Sequence, residues 1–547
     1  MLTYSFAERG QLSLYEHLYR CIRDDIEQGR IAAGEKMPSK RSFAKHLGVS
    51  LITVEGAYAQ LVAEGYLRSE PRRGFYACEV ACPSAGSSRH ASGKVLGPAR
   101  TTDEVKESTA YDAAQPNAIR SGEASTSNSS FDASEAAEAI ETLCSSGIFA
   151  DFTGASDLPD AFPYGSWAKS VRETLICEPE EALVGQVPAA GTSRLRKAIA
   201  GHLRSFRGMD VDPECVVIGA GSQVLYNLIV QLLGRDLRFG VEDPGYARLR
   251  QIYLANDVSL SALPLEEQGI CLAAAYEANV NVLHLMPSHQ YPTGIVTSVG
   301  RRYELLAWAA EQDSRFIIED DYDCEFRLAG RPIPSLQSVD ALGKVIYVNT
   351  FTKSLGPAFR IGYMVLPPEL AQRFRDKLGF YSCTVSAIDQ LALARFIESG
   401  EFERHVNRAR TRYRGVRDAL IAQLQQSSLR DRMVISGQDA GIHFLLGIKL
   451  PSCASVAEWE RAFVRSAGQR GVALRAVSSF YANGDLRAAG WGSSASSAAT
   501  GVAKEDAQSV MPQFVISYGG VSEDALPAAV GVLEKAVEAA DNACSAL

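Results

Sequence analysis

Residues 344–363 read KVIYVNTFTKSLGPAFRIGY, and this stretch decides the fold of the larger part of the chain. The apolar run Val345–Val348 with polar Asn349 at its end predicts a strand buried on both faces over Val345–Asn349. Lys353 follows in a polar turn that Gly356-Pro357 breaks, and Arg360 stands seven residues beyond the lysine. A lysine between apolar walls and basic neighbours is a candidate amine nucleophile. An arginine close by grips a phosphate through its planar fork. A surface lysine after a strand has the same local pattern, so the segments around it must decide.

Those segments point the same way. RFIIEDDYD (315–323) is an apolar strand whose carboxyl end delivers Asp320 and Tyr322, where α/β sheets bind ligands. Asp321 and Asp323 in the same run read as an exposed acidic loop. CVVIGAGSQVL (215–225) passes from strand through glycines into a helix, so the backbone N–H groups of Gly221, Ser222 and Gln223 suit a phosphate. EDPGYARLR (242–250) offers Tyr246 to stack on a ring and Arg248 to meet an acidic effector group. Strands are expected at Val216–Ile218, Leu237–Val241, Val282–Met286, Phe316–Glu319 and Val345–Asn349. Their alternation with helical stretches from about Asp151 onward makes this part α/β.

The N-terminal part has a different grammar. Leu14, Leu18, Ile22 and Ile26 share one face of a helix ending near Gly29. Ser39 caps a short second helix with Phe43 and Leu47 inward; Gly48-Val49 turns the chain. Ser50 caps a third helix that buries Val54, Ala57, Tyr58 and Leu61. A short helix, a glycine turn and a longer capped helix form a helix-turn-helix. Gly65–Ser69 and Phe75–Cys78 then flank Pro71-Arg72-Arg73-Gly74, a basic hairpin tip suited to phosphate or minor-groove contact.

Size and composition fit this division. At 547 residues the chain is too long for one core. Residues 1–80 form the first domain, 81–148 a flexible linker and 149–547 the second domain. The linker is rich in Ser, Ala and Gly, and its coil reach is about 40 Å. A second low-complexity patch at about 482–508 reads as a surface insertion. Hydrophobic content of 46% and charged content of 22% are those of a soluble globular protein. No membrane span or secretory leader is expected. The 11 cysteines are spread singly, with Cys78 and Cys82 the one close pair, so no metal site or disulfide scaffold is expected. Reduced cysteines place the protein in the cytoplasm. The net charge of −9 argues against nonspecific nucleic-acid binding by the whole chain, and leaves a local DNA-reading surface open.

Residues 14–67, LYEHLYRCIRDDIEQGRIAAGEKMPSKRSFAKHLGVSLITVEGAYAQLVAEGYL, resemble the GntR-type winged helix. The resemblance implies that Ser39, Lys40, Arg41, Ser50, Thr53 and the wing residues Arg72 and Arg73 face an operator duplex. Leu51 and Ile52 depart from it, standing where the usual pattern has a basic and a polar residue. The 344–363 segment resembles the lysine signature of fold-type I pyridoxal-phosphate enzymes. That resemblance implies that Lys353 forms the Schiff base with pyridoxal 5'-phosphate and that Thr350 and Arg360 bind its phosphate. It also implies that Asp320 meets the pyridine nitrogen, Tyr322 the ring oxygen O3′ and Tyr246 the ring face. Tyr291 in PSHQYPTG (287–294) occupies the asparagine position of the Asn-Pro-Thr-Gly turn of aminotransferases. In QFVISYGG (513–520) Val515 stands where a carboxylate-binding arginine is usual.

The order of modules resembles the MocR subfamily of GntR regulators. It implies an N-terminal winged helix-turn-helix joined to an aminotransferase-like domain, a homodimer, and a sensor of pyridoxal phosphate or of a small amine or amino acid. Two other functions remain open at this point: an active aminotransferase with an accessory DNA domain, and a DNA-binding protein whose large domain only dimerises.

Overall fold

The helix-turn-helix forms where its caps predict it. In this computed structural model Ser13 caps α1 (Leu14–Glu27), Ser39 caps α2 (Lys40–Leu47) and Ser50 caps α3 (Leu51–Ala63). Each serine oxygen accepts from a backbone N–H that the first helical turn leaves unpaired. Gly48 ends α2 at φ 66°, the left-handed region that costs a side-chain-bearing residue strain. Leu18, Ile22, Phe43, Val54, Ala57, Tyr58 and Leu61 are fully buried together. Tyr58 also donates to the Pro38 carbonyl at 2.9 Å, tying α3 to the entrance of α2. The wing is an antiparallel hairpin of β1 (Leu67–Glu70) and β2 (Gly74–Ala77), with Leu67 opposite Ala77.

The structure describes residues 12–80 except 71–72, 147–154, 162–482 except 329–332, 439–440 and 451–454, and 511–545, together with Leu2, Tyr4 and Phe6. The expected linker and the expected insertion at about 482–508 lie almost wholly outside the described residues, as does Arg72 at the wing tip.

After a short strand β3 (Ala150–Asp151), the large domain is built on one eight-stranded sheet. Its strands are β4 (Val216–Gly219), β5 (Arg238–Asp243), β6 (Ser259–Glu266), β7 (Gly269–Ile270), β8 (Val282–Leu285), β9 (Phe316–Asp320), β10 (Val345–Thr350) and β11 (Gly362–Val365). They lie in the order β4-β11-β10-β9-β8-β5-β6-β7. β6, β5, β8, β9 and β10 pair parallel, and β11 runs antiparallel between β10 and β4. β4, β8 and β10 are buried along their whole length, which is why they read as predominantly apolar runs. The five expected strands are present, shifted by one or two residues at their ends. β6, β7 and β11 were not anticipated.

A smaller sheet follows: β12 (Met433–Ser436), β13 (His443–Ile448), β15 (Arg475–Ala476) and β16 (Gln513–Ser517), in the order β12-β13-β16-β15. The pair β14 (Val472–Ala473) and β3 lies apart from it. One face of the smaller sheet, with Leu446, Phe514 and Ala476, packs into a core with Trp459, Phe463 and the C-terminal helix Leu526–Ser545. No helix among the described residues is long and apolar enough to cross a membrane.

The reader domain meets the large domain at the end of α3. Val299 N donates to the Glu64 carbonyl at 3.0 Å, and Gly65 packs on Ser298. The Glu64 carboxyl is buried and accepts from Tyr19 Oη at 2.6 Å; burial pushes its pKa up.

Candidate functional site

β4, β5, β8, β9 and β10 run the same way, so their carboxyl ends deliver five turns to one edge of the sheet. Such an edge is where open α/β sheets hold ligands. Lys353 sits in the single helical turn Thr352–Leu355 directly after β10, half-buried, with Nζ 3.5 Å from the Gly154 carbonyl. Thr350, at the end of β10, is buried, and its Oγ1 accepts from Thr352 N at 3.4 Å.

Arg360 is held at φ 49°, in the left-handed region, and donates from Nη2 to the Ala220 carbonyl at 3.1 Å. A Cβ at Gly221 would lie 2.5 Å from that same Nη2, so only glycine lets the arginine close on the β4 turn. The helix Ser222–Leu233 starts there, and the N–H groups of Ser222 and Gln223 are among those with no intrahelical acceptor. Gly221 differs from expectation: its N–H turns back to the Gly219 carbonyl at 2.7 Å. The donors at this point that could hold an anion are therefore Ser222 N–H, Gln223 N–H and the Arg360 guanidinium.

Asp320 ends β9 and is 3% exposed. Its Oδ2 accepts from Tyr226 Oη at 2.5 Å and lies 3.5 Å from His284 Nε2. Its Oδ1 is buried and has no hydrogen-bond partner among the described residues, which leaves an acceptor open to a ligand. A protonated ring nitrogen fits that acceptor in sign and donor capacity. Neither Tyr226 nor His284 was singled out from the sequence, because nothing local marks a residue that packs beneath a strand end far along the chain.

The other two acids of the run contradict the exposed-loop expectation. Asp321 is 2% exposed, 2.5 Å from Arg207 Nη2, and accepts from Tyr347 Oη at 2.8 Å. Asp323 is 4% exposed, with Oδ2 2.7 Å from His289 Nδ1. Burial of a carboxylate demands such partners. His289 in turn lies 3.2 Å from the Tyr322 hydroxyl. His289, Asp323 and His443 bring one ligand atom each within 4.8 Å of one another. Arg207 and Arg327 line the small cavity beside His289 and Asp323, and their positive charge opposes a cation there.

The opposite wall is aromatic. The Tyr291 ring lies 6.4 Å from Tyr246, 6.3 Å from Tyr322, 5.3 Å from His443 and 5.2 Å from Phe480. Burial pushes the Tyr291 hydroxyl up to about 12. Val515 is fully buried against Leu445, Val477 and Phe480. Arg248 is exposed on the first turn of the helix Ala247–Ala255 and makes no hydrogen bond or ion pair among the described residues. Beneath the wall, Glu242 is buried and accepts from Met286 N at 3.2 Å; burial raises its carboxyl to about 8.

On the reader domain, Ser39 and Ser50 are exposed and serve as caps. Arg41 is exposed, Lys40 lies 5.2 Å from the Phe75 ring centre, and Arg73 is 3.7 Å from Glu70. Thr53 departs from expectation: it is 9% exposed and its hydroxyl is engaged 2.8 Å from that of Ser50. Leu51 and Ile52 are exposed at the start of α3, Ile52 by 79%.

Two family models match the chain. "Bacterial regulatory proteins, gntR family" covers residues 14–77 and "Aminotransferase class I and II" covers 166–493. The chain is 36% identical to the uncharacterized HTH-type transcriptional regulator YdeL of Bacillus subtilis, over 86% of this chain and 90% of that one. It is 31% identical to the probable rhizopine catabolism regulatory protein MocR of Rhizobium meliloti, over 80% and 82%. It is 30% identical to the pyridoxine biosynthesis transcriptional regulator PdxR of Corynebacterium glutamicum, over 79% and 83%. Among solved structures, the multiple substrate aminotransferase of Thermococcus profundus shares the fold of the large domain. Its TM-score is 0.62 at 23% identity, covering 76% of this chain and 97% of that one. This chain thus belongs to the MocR subfamily of GntR-type transcription regulators, which join a winged helix-turn-helix to an aminotransferase class I and II domain of the pyridoxal-phosphate-dependent fold.

Proposed function

We propose that this regulator holds pyridoxal 5'-phosphate on Lys353 and changes its grip on an operator duplex when the cofactor arrives or when a small amine or amino acid reacts with it. The observation that carries this reading is the unpartnered, buried Oδ1 of Asp320, whose other oxygen is already taken by Tyr226. An unpaired buried acceptor is costly unless a ligand completes it. When bound, the cofactor supplies an aldehyde carbon open to amines.

The chain's own residues do the rest. Asp320 holds the proton on the ring nitrogen, and Tyr322 orients the ring through its oxygen. Tyr246 covers the ring, and Arg360 with the N–H groups of Ser222 and Gln223 neutralises the phosphate. On the reader domain, Ser39, Lys40, Arg41, Ser50, Arg72 and Arg73 meet the duplex. Thr53 supports Ser50 from behind.

The route between the two sites runs through Arg302, which donates to the carbonyls of Thr297 and Pro287 at 3.0 and 2.8 Å. It ties the turn that carries His289 and Tyr291 to the helix whose first N–H holds Glu64. The protein works as a cytoplasmic homodimer, with residues 81–148 as the linker between a reader domain (1–80) and an effector domain (149–547).

The test is operator binding by the full chain, measured by fluorescence anisotropy with and without pyridoxal phosphate. Wild type should shift its affinity or stoichiometry on adding the cofactor, and Lys353→Ala should bind DNA without that response. Identical responses in both would overturn the reading.

A further inference from the structure

We propose that Arg475, together with the Tyr291 hydroxyl, forms a carboxylate-binding end of the effector site, so that the effector is an amine that also carries a carboxylate. The inference rests on the cofactor reading above and adds the residue that selects the ligand.

The smaller sheet has two faces with different duties. Leu446, Phe514 and Ala476 belong to its core face. On the other face β16 places Val515 opposite Leu445 of β13 on one side and opposite Arg475 of β15 on the other. Directly paired residues of antiparallel strands project to the same face, with Cβ atoms roughly 5 Å apart. Leu445, Val515 and Arg475 therefore form one row. The Leu445 and Val515 end of that row packs, with Val477 and Phe480, against Tyr291. Tyr291 is the residue that also meets Tyr322, Tyr246 and His443.

Arg475 is the charged member of this row. It is exposed, and among the described residues it makes no hydrogen bond or ion pair. Arg250, which also borders this wall, is committed: it donates to the Phe480 carbonyl at 2.9 Å and lies 3.8 Å from Asp243. Arg475 is also the cation that opposes the rise of the Tyr291 hydroxyl on burial, so its charge is felt at that oxygen. A guanidinium in the row whose apolar end packs on Tyr291, taken together with that residue's phenol, offers two donors to a carboxylate, and the guanidinium fork matches both oxygens. Val515 offers no polar atom, so in this row the task falls to Arg475.

The test uses full-length protein loaded with pyridoxal phosphate. L-alanine and β-alanine are titrated against ethylamine, which lacks the carboxylate, and the change in the visible band is followed. Wild type should bind one of the amino acids at least tenfold more tightly than ethylamine. Arg475→Ala should bring that ratio to about one while ethylamine binds as before, and Arg475→Lys should keep part of the preference. A ratio near one in wild type, or a ratio unchanged in Arg475→Ala, would overturn the proposal. A wild-type protein with no visible band would instead overturn the cofactor reading, so the two failures are distinguishable.

Discussion

Replacing each of the two adjacent acids Asp320 and Asp321 by asparagine should produce opposite phenotypes, although the sequence offers them side by side. Asp320 keeps one oxygen for Tyr226 and leaves the other unpartnered at the site edge. Asp320→Asn retains an acceptor for Tyr226 and loses the negative charge. A charge-assisted hydrogen bond contributes on the order of 2 kcal/mol, so cofactor affinity should fall about thirtyfold. Stability without cofactor should hold or rise slightly, because a buried charge has been removed.

Asp321 is locked in a pair whose side chains are both 1% exposed, with Arg207 at 2.5 Å. Asp321→Asn leaves that guanidinium uncompensated, and breaking a buried pair costs roughly 3–5 kcal/mol. This variant should melt well below wild type, with a much smaller change in cofactor affinity for the fraction still folded. The assays are titration of cofactor-free protein with pyridoxal phosphate by absorbance, and thermal unfolding by circular dichroism. If Asp321→Asn loosened the cofactor while Asp320→Asn bound it as wild type does, the assignment of the two acids would be wrong.

Other expectations are simpler. Arg41→Ala should weaken operator binding and reduce the slope of log affinity against log salt by about one, because one phosphate contact and its released counterion are lost; an unchanged slope would remove Arg41 from the DNA face. Burial pushes the Glu242 carboxyl up to about 8, so it keeps its proton in the folded protein well above the 4.5 of an ordinary glutamate. Stability should therefore fall as pH rises through that window, and Glu242→Gln should lessen the decline relative to wild type while the buried Glu319 and Glu325 keep their share. With Val515 at the usual anchoring position and the carboxylate drawn instead to Arg475 on the neighbouring strand, amino acids should be held out of reacting alignment and turn over far more slowly than the roughly 1–10³ per second usual for enzymes. Steady transamination at such rates would favour the enzyme reading.

Much of this architecture was legible because it is written locally. Caps, a glycine turn and helical periodicity announce α1–α3, and strands buried on both faces read as apolar runs. A strand's carboxyl end points to the neighbourhood of Lys353 and of the acids after β9, but the choice of Asp320 among those acids rests on its spacing from Tyr322 in the family that the segment resembles. The rest depends on which distant segments meet. Asp321 and Asp323 look like a solvated acidic loop until Arg207 and His289 arrive from 114 and 34 residues away. Tyr226 carries no signal for its hydroxyl's partner, and the register that sets Arg475 beside Val515 exists only once β15 and β16 pair. Thr53 looked like a reader by motif, yet helix phase turns it inward. β6, flanked on its outer side by the two-residue β7, is half-exposed and alternates too weakly to stand out.

The role of the effector domain turns on Lys353 being the residue to which the cofactor attaches. Purified protein loaded with pyridoxal phosphate should be reduced with borohydride, digested and examined by mass spectrometry alongside Lys353→Ala. The account predicts a visible band that reduction abolishes, a pyridoxyl adduct on the peptide bearing Lys353, and neither in the variant. An adduct on another lysine, or the same reducible band in Lys353→Ala, would contradict it.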